Sequence, residues 1–402
     1  MCAAEIIYTN MFRFLTAGES HGPLMTTIID GLPAGLTVVA ADINADLARR
    51  QGGYGRGARQ KIETDSVEIT AGVRFGKTLG SPVTLSVRNR DWINWSGRMQ
   101  IEPLDEHAQA IPAVTIPRPG HADFVGMRKY NHDDLRNVLE RSSARNTATL
   151  VAVGGVSRAF LRVFGIEVVS HIVQIGSVKS DFSSELTAEA VREKASDSLV
   201  SCICETASTE MIALIDNAKR RGDTLGGVFE VVVFGLPIGL GSYVHWDERI
   251  DGRIGQAILS INAVKGVEIG LGFGVAALPG SQVHDEFAVD DTGHVLRPSN
   301  RAGGTEGGIT NGQPLVVRGA MKPIATLMRQ LGSVNLQTGQ AAPAFAERSD
   351  VCAVPAAGVI AEAMVAIVLM EAFLEKFGGD SMTEIQRNYD AYIAAPFGAV
   401  VA

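Results

Sequence analysis

The chain has 402 residues, 46% of them hydrophobic, and a formal net charge of −8. That length and apolar content suit a large packed core, while the negative balance argues against nonspecific nucleic-acid binding by the whole molecule. Its four cysteines, Cys2, Cys202, Cys204 and Cys352, form no C-x-x-C spacing, which argues against a zinc site or disulfide framework and for reduced thiols in the cytoplasm.

The first ten residues, "MCAAEIIYTN", have no basic stretch followed by an apolar run, so no signal peptide is read there. Next, "FRFLTA" alternates apolar and polar residues as a strand does. Gly18-Glu19-Ser20-His21-Gly22 then matches G-x-S-x-G, the pattern of a nucleophile elbow, which requires a helix after the serine. The stretch after Gly22, "PLMTTIIDGLPAGL", is β-branched, short and closed by Gly-Leu-Pro, so it reads as a second strand. Ser20 and His21 are therefore expected at a hairpin tip, and the serine-hydrolase reading falls away. His21 remains as a functional candidate on a turn.

Apolar residues at helical spacing, with end signals, predict helices over 42–51, 133–164, 187–198, 209–221, 248–264 and 358–377. Strands are expected over 67–75, 83–88, 166–175, 228–234, 267–273 and 315–320. The late segment "VIAEAMVAIVLMEAFLEKF" contains three glutamates and a lysine, and reads as a core helix rather than a membrane span. Strand pairs alternating with long helices give neither a βαβ rhythm nor an all-β one. They predict an α+β sandwich in one continuous domain.

Three long connections carry chemistry: "RRQGGYGRGARQKIETD", "IPRPGHADFVGMRKYNHDD" and "SNRAGGTEGGITNGQ". The first holds Arg49, Arg50, Arg56, Arg59 and Lys61 with no acid among them, which suits a small anionic ligand or a solvated basic surface. Its Gly53-Tyr54-Gly55-Arg56-Gly57 comes after a helix, the wrong order for a dinucleotide fingerprint. In the second, Arg118 offers an anion ligand and His121 a proton-transfer group, with a structural imidazole as the alternative. His132 reads as a residue ahead of a helix cap. The segment "VLERSSARNTA" sets Ser142 and Ser143 between Arg141 and Arg145, consistent with phosphate or ribityl binding and equally with a surface helix. The third connection offers bare backbone N–H groups to an anion or a flat ring. Asp350, after Arg348 and Ser349, is a candidate base.

In chain order, "LTAGESHG", "RRQGGYGRG", "RPGHAD", "RSSAR", "INAVKGVEIG", "GGTEGGITNG", "MKPIAT" and "RSDVCAVPAAGVI" resemble the chorismate synthase family from about Met11 to Gly378. Residues 1–10 precede the family's usual start and are read as an inert extension, leaving 11–402 as a single catalytic domain. The resemblance implies a β-α-β sandwich assembled as a homotetramer. It implies a cytoplasmic lyase of the shikimate pathway, serving aromatic amino-acid biosynthesis and needing no metal. That lyase converts 5-enolpyruvylshikimate 3-phosphate to chorismate and phosphate by 1,4-elimination. The implied cofactor is reduced FMN, with NADPH as an indirect reductant and an external flavin reductase as a partner. The substrate is a small anion, and no nucleic acid or membrane is implied.

Roles carry over by position. His21 corresponds to the acid for the departing phosphate, with Ser20 beside it. His121 corresponds to the group that serves reduced flavin, and Asp350 to a proton relay near the flavin N5. Arg50, Arg56, Arg59, Arg118 and Arg348 correspond to substrate-anion ligands, and Arg50 and Arg56 also to NADPH contacts. The implied flavin ligands are Arg141, Ser142, Ser143, Asn262, Ala263, Gly307, Lys322, Pro323, Ile324, Ala325, Thr326 and Arg348. After "RSSAR" the family usually carries Glu where this chain has Asn146, which puts a local ion pair in question. The competing readings are a flavin-dependent NADPH oxidoreductase and a noncatalytic anion- or nucleic-acid-binding protein.

Overall fold

The computed structural model describes residues 12–57, 64–103, 111–180, 186–291, 295–345 and 350–395, so the expected extension at 1–10 lies outside it. Strands Arg13–Ala17 and Leu24–Asp30 pair antiparallel, with Ala17 opposite Thr26, and leave 18–23 as the hairpin tip. Gly18 opens that turn at φ +111°, where a Cβ would stand 2.6 Å from the Leu24 carbonyl oxygen. Only glycine fits both constraints. A strand, not a helix, comes after Ser20, as the β-branched run predicts.

The hairpin belongs to a four-stranded antiparallel sheet that continues through Val83–Arg88 to Val67–Ala71. A second antiparallel sheet runs in the order Val264–Ile269, Leu315–Met321, Gly227–Phe234, Glu167–Ile175 and Val178–Lys179. Helices Ala40–Gln51, Thr147–Val163, Ile250–Leu259 and Val354–Phe377 fill the space between the sheets. One hydrophobic cluster joins both sheets to these helices, from Ile29 and Leu85 through Val153 and Leu369 to Val231 and Val317. The architecture is a β-α-β sandwich, in agreement with the sequence reading.

At its centre Thr147–Val163 and Val354–Phe377 pack so closely that a Cβ on Gly154 would lie 2.2 Å from that of Ala363. The 24-residue helix Val354–Phe377 is apolar on every side, which marks a helix surrounded by protein or lipid. It is long and apolar enough to span a membrane, yet 89% of its most apolar window is buried inside the protein. Glu362 sits in its middle, fully buried. Arg49 donates to it at 2.6 and 2.7 Å, Arg158 at 2.9 Å and Ser170 Oγ at 2.7 Å. Burial alone would raise its pKa; the two guanidiniums bring it down to about 2.

Several expected boundaries move. The helix expected over 133–164 is broken into Arg136–Ser142, a 3-10 turn Ala144–Asn146, and Thr147–Val163. Ser143 is the break, extended at φ −61° and ψ 142°, and its hydroxyl accepts the Arg145 N–H. The helix expected over 248–264 stops at Leu259, and the next strand begins at Val264 and ends where Gly270 turns at φ +59°. The 358–377 helix starts earlier, at Val354, with Pro355 in its first turn, where a missing N–H costs nothing. The second long connection contains a helix, Asp123–Tyr130, and another helix, Met382–Ala394, starts at a Ser381/Glu384 capping box. Cys202, Cys204 and Cys352 are free thiols.

Candidate active site

The hairpin tip is held by the helix Arg136–Ser142. The Ser20 N–H donates to the Glu140 carbonyl at 3.0 Å, and the His21 N–H donates to Glu140 Oε2 at 2.8 Å. His21 Nδ1 lies 3.0 Å from both carboxylate oxygens of Glu140. The Trp95 ring stacks on the imidazole with centroids 3.8 Å apart. Arg136 reaches Glu140 Oε1 at 3.0 Å and covers the Trp95 face at 5.1 Å. Burial pushes the Glu140 pKa up, but the hydrogen bonds and charge of His21 and Arg136 outweigh it, and the net shift is downward. Beside this group Ser20 is buried, and its Oγ has no hydrogen-bond partner among the described residues.

A guanidinium cluster forms at the end of the Ala40–Gln51 helix. Arg50 donates to Asp65 at 2.5 Å and to Thr147 Oγ1 at 3.2 Å, and Arg145 reaches the other Asp65 oxygen at 2.9 Å. Arg56 pairs with Asp350 at 2.8 Å, and the Gly57 N–H donates to Asp350 at 2.6 Å. Burial lowers the Arg50 pKa; Asp65 opposes that shift, while the like charges of Arg56 and Arg145 add to it. Among the described residues three guanidiniums thus pair with two carboxylates in a mostly buried setting. Such an excess of buried positive charge is complementary to an anionic ligand.

The second histidine is built alike. His121 Nδ1 lies 2.5 Å from Asp123 Oδ1, and Arg118 Nε donates to Asp123 Oδ2 at 2.9 Å. The Asp123 carboxylate also accepts the Arg118 N–H at 2.9 Å. Burial would raise its pKa, yet His121 and Arg118 drive it well below the usual carboxylate range. Lys322 Nζ donates to the Gly120 carbonyl at 2.5 Å, which seats the 322–326 segment against this turn. The Lys322 N–H donates to Ala263 O at 2.9 Å, and Asn262 Nδ2 donates to Ser142 O at 3.1 Å. Ala263 accepts a positive φ of 67° to make this junction.

These bonds join five of the sequence-derived segments into one surface: the hairpin tip, 141–143, 262–263, 322 and the Arg118–His121 turn. Within it the Arg141 guanidinium is committed to Thr16 O, Thr16 Oγ1 and Gly18 O, and to Asn146 Oδ1 at 2.9 Å. Asn146 therefore accepts a charge-assisted hydrogen bond from Arg141 without forming an ion pair with it. Ser142 Oγ donates to Val138 O at 2.7 Å, a helix-internal bond. Gly307 turns the hairpin Thr305–Glu306/Ile309–Thr310, whose hydrogen bonds lead to 237–250. Arg59, Arg348 and Ser349 lie outside the described residues.

Asp65, Trp95, Asp123, Arg136 and Glu140 have no role in the sequence reading, and Arg145 enters it only within the segment consistent with phosphate or ribityl binding. Asp123 carried a local signal, a carboxylate two residues beyond His121. The partners of Arg50 and His21 stand 15 and 119 residues away and carried none.

Fold and site define a β-α-β sandwich whose helices and loops carry a buried arginine cluster and two carboxylate-held histidines. The chorismate synthase family model matches residues 12–374. A chorismate synthase of Geobacter metallireducens is 56% identical over 391 residues, covering 95% of this chain and 98% of the relative. One of Enterococcus faecalis is 53% identical over 380 residues, covering 94% and 98%. A crystal structure of a chorismate synthase superposes with a TM-score of 0.76 at 45% identity, covering 95% of this chain and 97% of that one. The chain belongs to the chorismate synthase family, enzymes that act as lyases in the shikimate pathway.

Proposed function

We propose that the chain converts 5-enolpyruvylshikimate 3-phosphate to chorismate and phosphate by a 1,4-elimination that requires reduced FMN. The observation that carries this reading is the guanidinium excess of Arg50, Arg56 and Arg145 over Asp65 and Asp350, matched to a substrate with two carboxylates and a phosphate. Arg118 adds a fourth cation, and Arg59 and Arg348 are proposed to complete the set.

The residues also fit a flavin. Ser20 Oγ, Arg50 Nε and Arg56 Nε are buried polar atoms without a hydrogen-bond partner among the described residues, which suits a site completed by a polar ligand. Arg141, Ser142, Ser143, Asn262, Ala263, Gly307, Lys322 through Thr326 and Arg348 would hold FMN. Reduced flavin, when bound, supplies electron density to the substrate's allylic system, which simple acid–base groups do not do for an unactivated C–H. The chain's own groups do the rest. The arginines neutralise and orient the carboxylates and phosphate. His21 delivers a proton to the departing phosphate, His121 holds a proton toward the flavin, and the Asp350 carboxylate relays the proton that leaves the substrate.

FMN reduction is assigned to an external reductase, with NADPH as the indirect reductant and Arg50 and Arg56 as the positions matching NADPH contacts. We read the exposed Tyr243, Trp246 and Phe273 (74%, 84% and 82% accessible) as contacts with further copies in a cytoplasmic homotetramer. Light scattering on the purified protein tests that assembly. The activity is tested anaerobically with 5-enolpyruvylshikimate 3-phosphate and chemically reduced FMN, following chorismate and phosphate together. Equal formation of both, absent with oxidised FMN, is the expected result. Sustained NADPH oxidation without substrate, and no chorismate, would replace this reading with a flavin-dependent oxidoreductase.

A further inference from the structure

We infer that Glu140 is the positioning residue that fixes the tautomer of His21, so that Nε2 is the nitrogen that presents the transferable proton. The inference rests on the proposed reaction, in which His21 is the acid for the departing phosphate. Its basis is geometric. Both oxygens of the Glu140 carboxylate lie 3.0 Å from His21 Nδ1, Oε2 accepts the His21 backbone N–H at 2.8 Å, and Oε1 accepts from Arg136 at 3.0 Å. Donors thus converge on a nearly fully buried carboxylate. Burial opposes ionisation there, but the donors win and its pKa is lowered, so it is an anion near neutral pH.

An ionised carboxylate only accepts hydrogen bonds, so Nδ1 carries the hydrogen whether the ring is neutral or cationic. The proton that comes and goes is then the one on Nε2. A ring flip that exchanged Nδ1 for a carbon would break the Glu140 bonds, and the stacked Trp95, itself covered by Arg136, confines the ring on one face. The backbone bond from Ser20 N–H to the Glu140 carbonyl does not depend on the Glu140 side chain, so an isosteric change leaves the tip docked. In Glu140→Gln the new amide N–H₂ can donate to a bare Nδ1, which makes the Nε2–H tautomer competitive.

The test uses the full chain labelled with ¹⁵N-histidine. Long-range ¹H–¹⁵N spectra report the tautomer of each ring, and His21→Ala identifies the His21 signals. The neutral wild-type ring is expected to be Nδ1–H, and Glu140→Gln is expected to shift it toward Nε2–H. In parallel, kcat is expected to fall on the order of 10²-fold in Glu140→Gln, with the KM for substrate and the affinity for FMN little changed. Glu140→Asp, which keeps the charge, is expected to restore part of the rate and the Nδ1–H tautomer. A wild-type ring that is Nε2–H, or a Glu140→Gln ring that stays Nδ1–H, overturns the inference, whatever the rate does. So does a tautomer shift that leaves kcat within about twofold of wild type. If the wild-type enzyme makes no chorismate, the functional reading fails separately, and the spectra still decide whether Glu140 sets the ring.

Discussion

Arg49 and Arg50, consecutive at the end of the Ala40–Gln51 helix, enter two buried ion clusters that differ in charge balance. Arg49 turns into the sandwich, where it and Arg158 meet Asp46 and Glu362, two cations against two anions. Arg50 turns the other way, into a group in which, among the described residues, Arg50, Arg56 and Arg145 form ion pairs with Asp65 and Asp350. The balanced cluster leaves nothing for a ligand to neutralise and serves as scaffold. The unbalanced one carries a surplus of positive charge among the described residues, which the proposed anionic substrate would neutralise. Both clusters contain buried, paired arginines, so the surplus, and not the presence of such arginines, distinguishes the proposed site from the core.

The largest expected effect lies on the scaffold side. Glu362→Ala removes the fully buried carboxylate shared by the buried Arg158 and the partly exposed Arg49 and is expected to cost about 3–5 kcal/mol of stability, read by denaturant unfolding. Retained stability would mean that the core cluster is not balanced as described. On the ligand side, Arg50→Lys keeps the charge but loses the fork that spans Asp65 and Thr147. A fall in kcat/KM of roughly 10–100-fold is expected, with an unfolding midpoint shifted far less than in Glu362→Ala. The reverse pattern, stability lost and rate kept, would place Arg50 in the scaffold and dissolve the distinction.

Acid sharpens the same contrast. The folded pKa of Glu362, about 2, lies below its ordinary 4.5. Its contribution is therefore fully present above the ordinary value and is lost as pH falls through the folded one. Glu140 and Asp123 are shifted in the same direction and add to the trend. Denaturant midpoints measured from about pH 6 to about pH 3 should fall in the wild type and fall less steeply in Glu362→Gln. The smallest effect is expected at Asn146→Glu, which replaces the Arg141–Asn146 hydrogen bond with an exposed ion pair. Stability should change by less than about 1 kcal/mol, and FMN affinity, read by fluorescence titration, reports whether the pair matters to the flavin.

Much of the frame was legible in the chain. The β-branched run after Gly22 identified the hairpin that carries Ser20 and His21, and the apolar stretch before Phe377 identified the central helix. Motif order identified the family. The hidden part depended on tertiary position. Nothing local separates Arg49 from Arg50, and the helix expected over 133–164 includes Ser143, where the backbone in fact turns out of the helix. Glu140 looked like one more acid on a helix because its partner lies 119 residues earlier. Carboxylates that orient a functional group leave a sequence signal only when they sit beside it, as Asp123 does beside His121.

The bonds Ser142–Asn262 and Gly120–Lys322 span 120 and 202 residues of chain. None of that surface exists in an unfolded polypeptide, so a molecule seated on it has affinity only for the native state. Occupancy then becomes thermodynamically linked to global unfolding: a ligand at 100 times its Kd raises the unfolding free energy by about 2.7 kcal/mol. Saturating substrate or flavin should therefore delay melting of the whole sandwich, including strands far from any contact, and a calorimeter can register binding before any product is looked for.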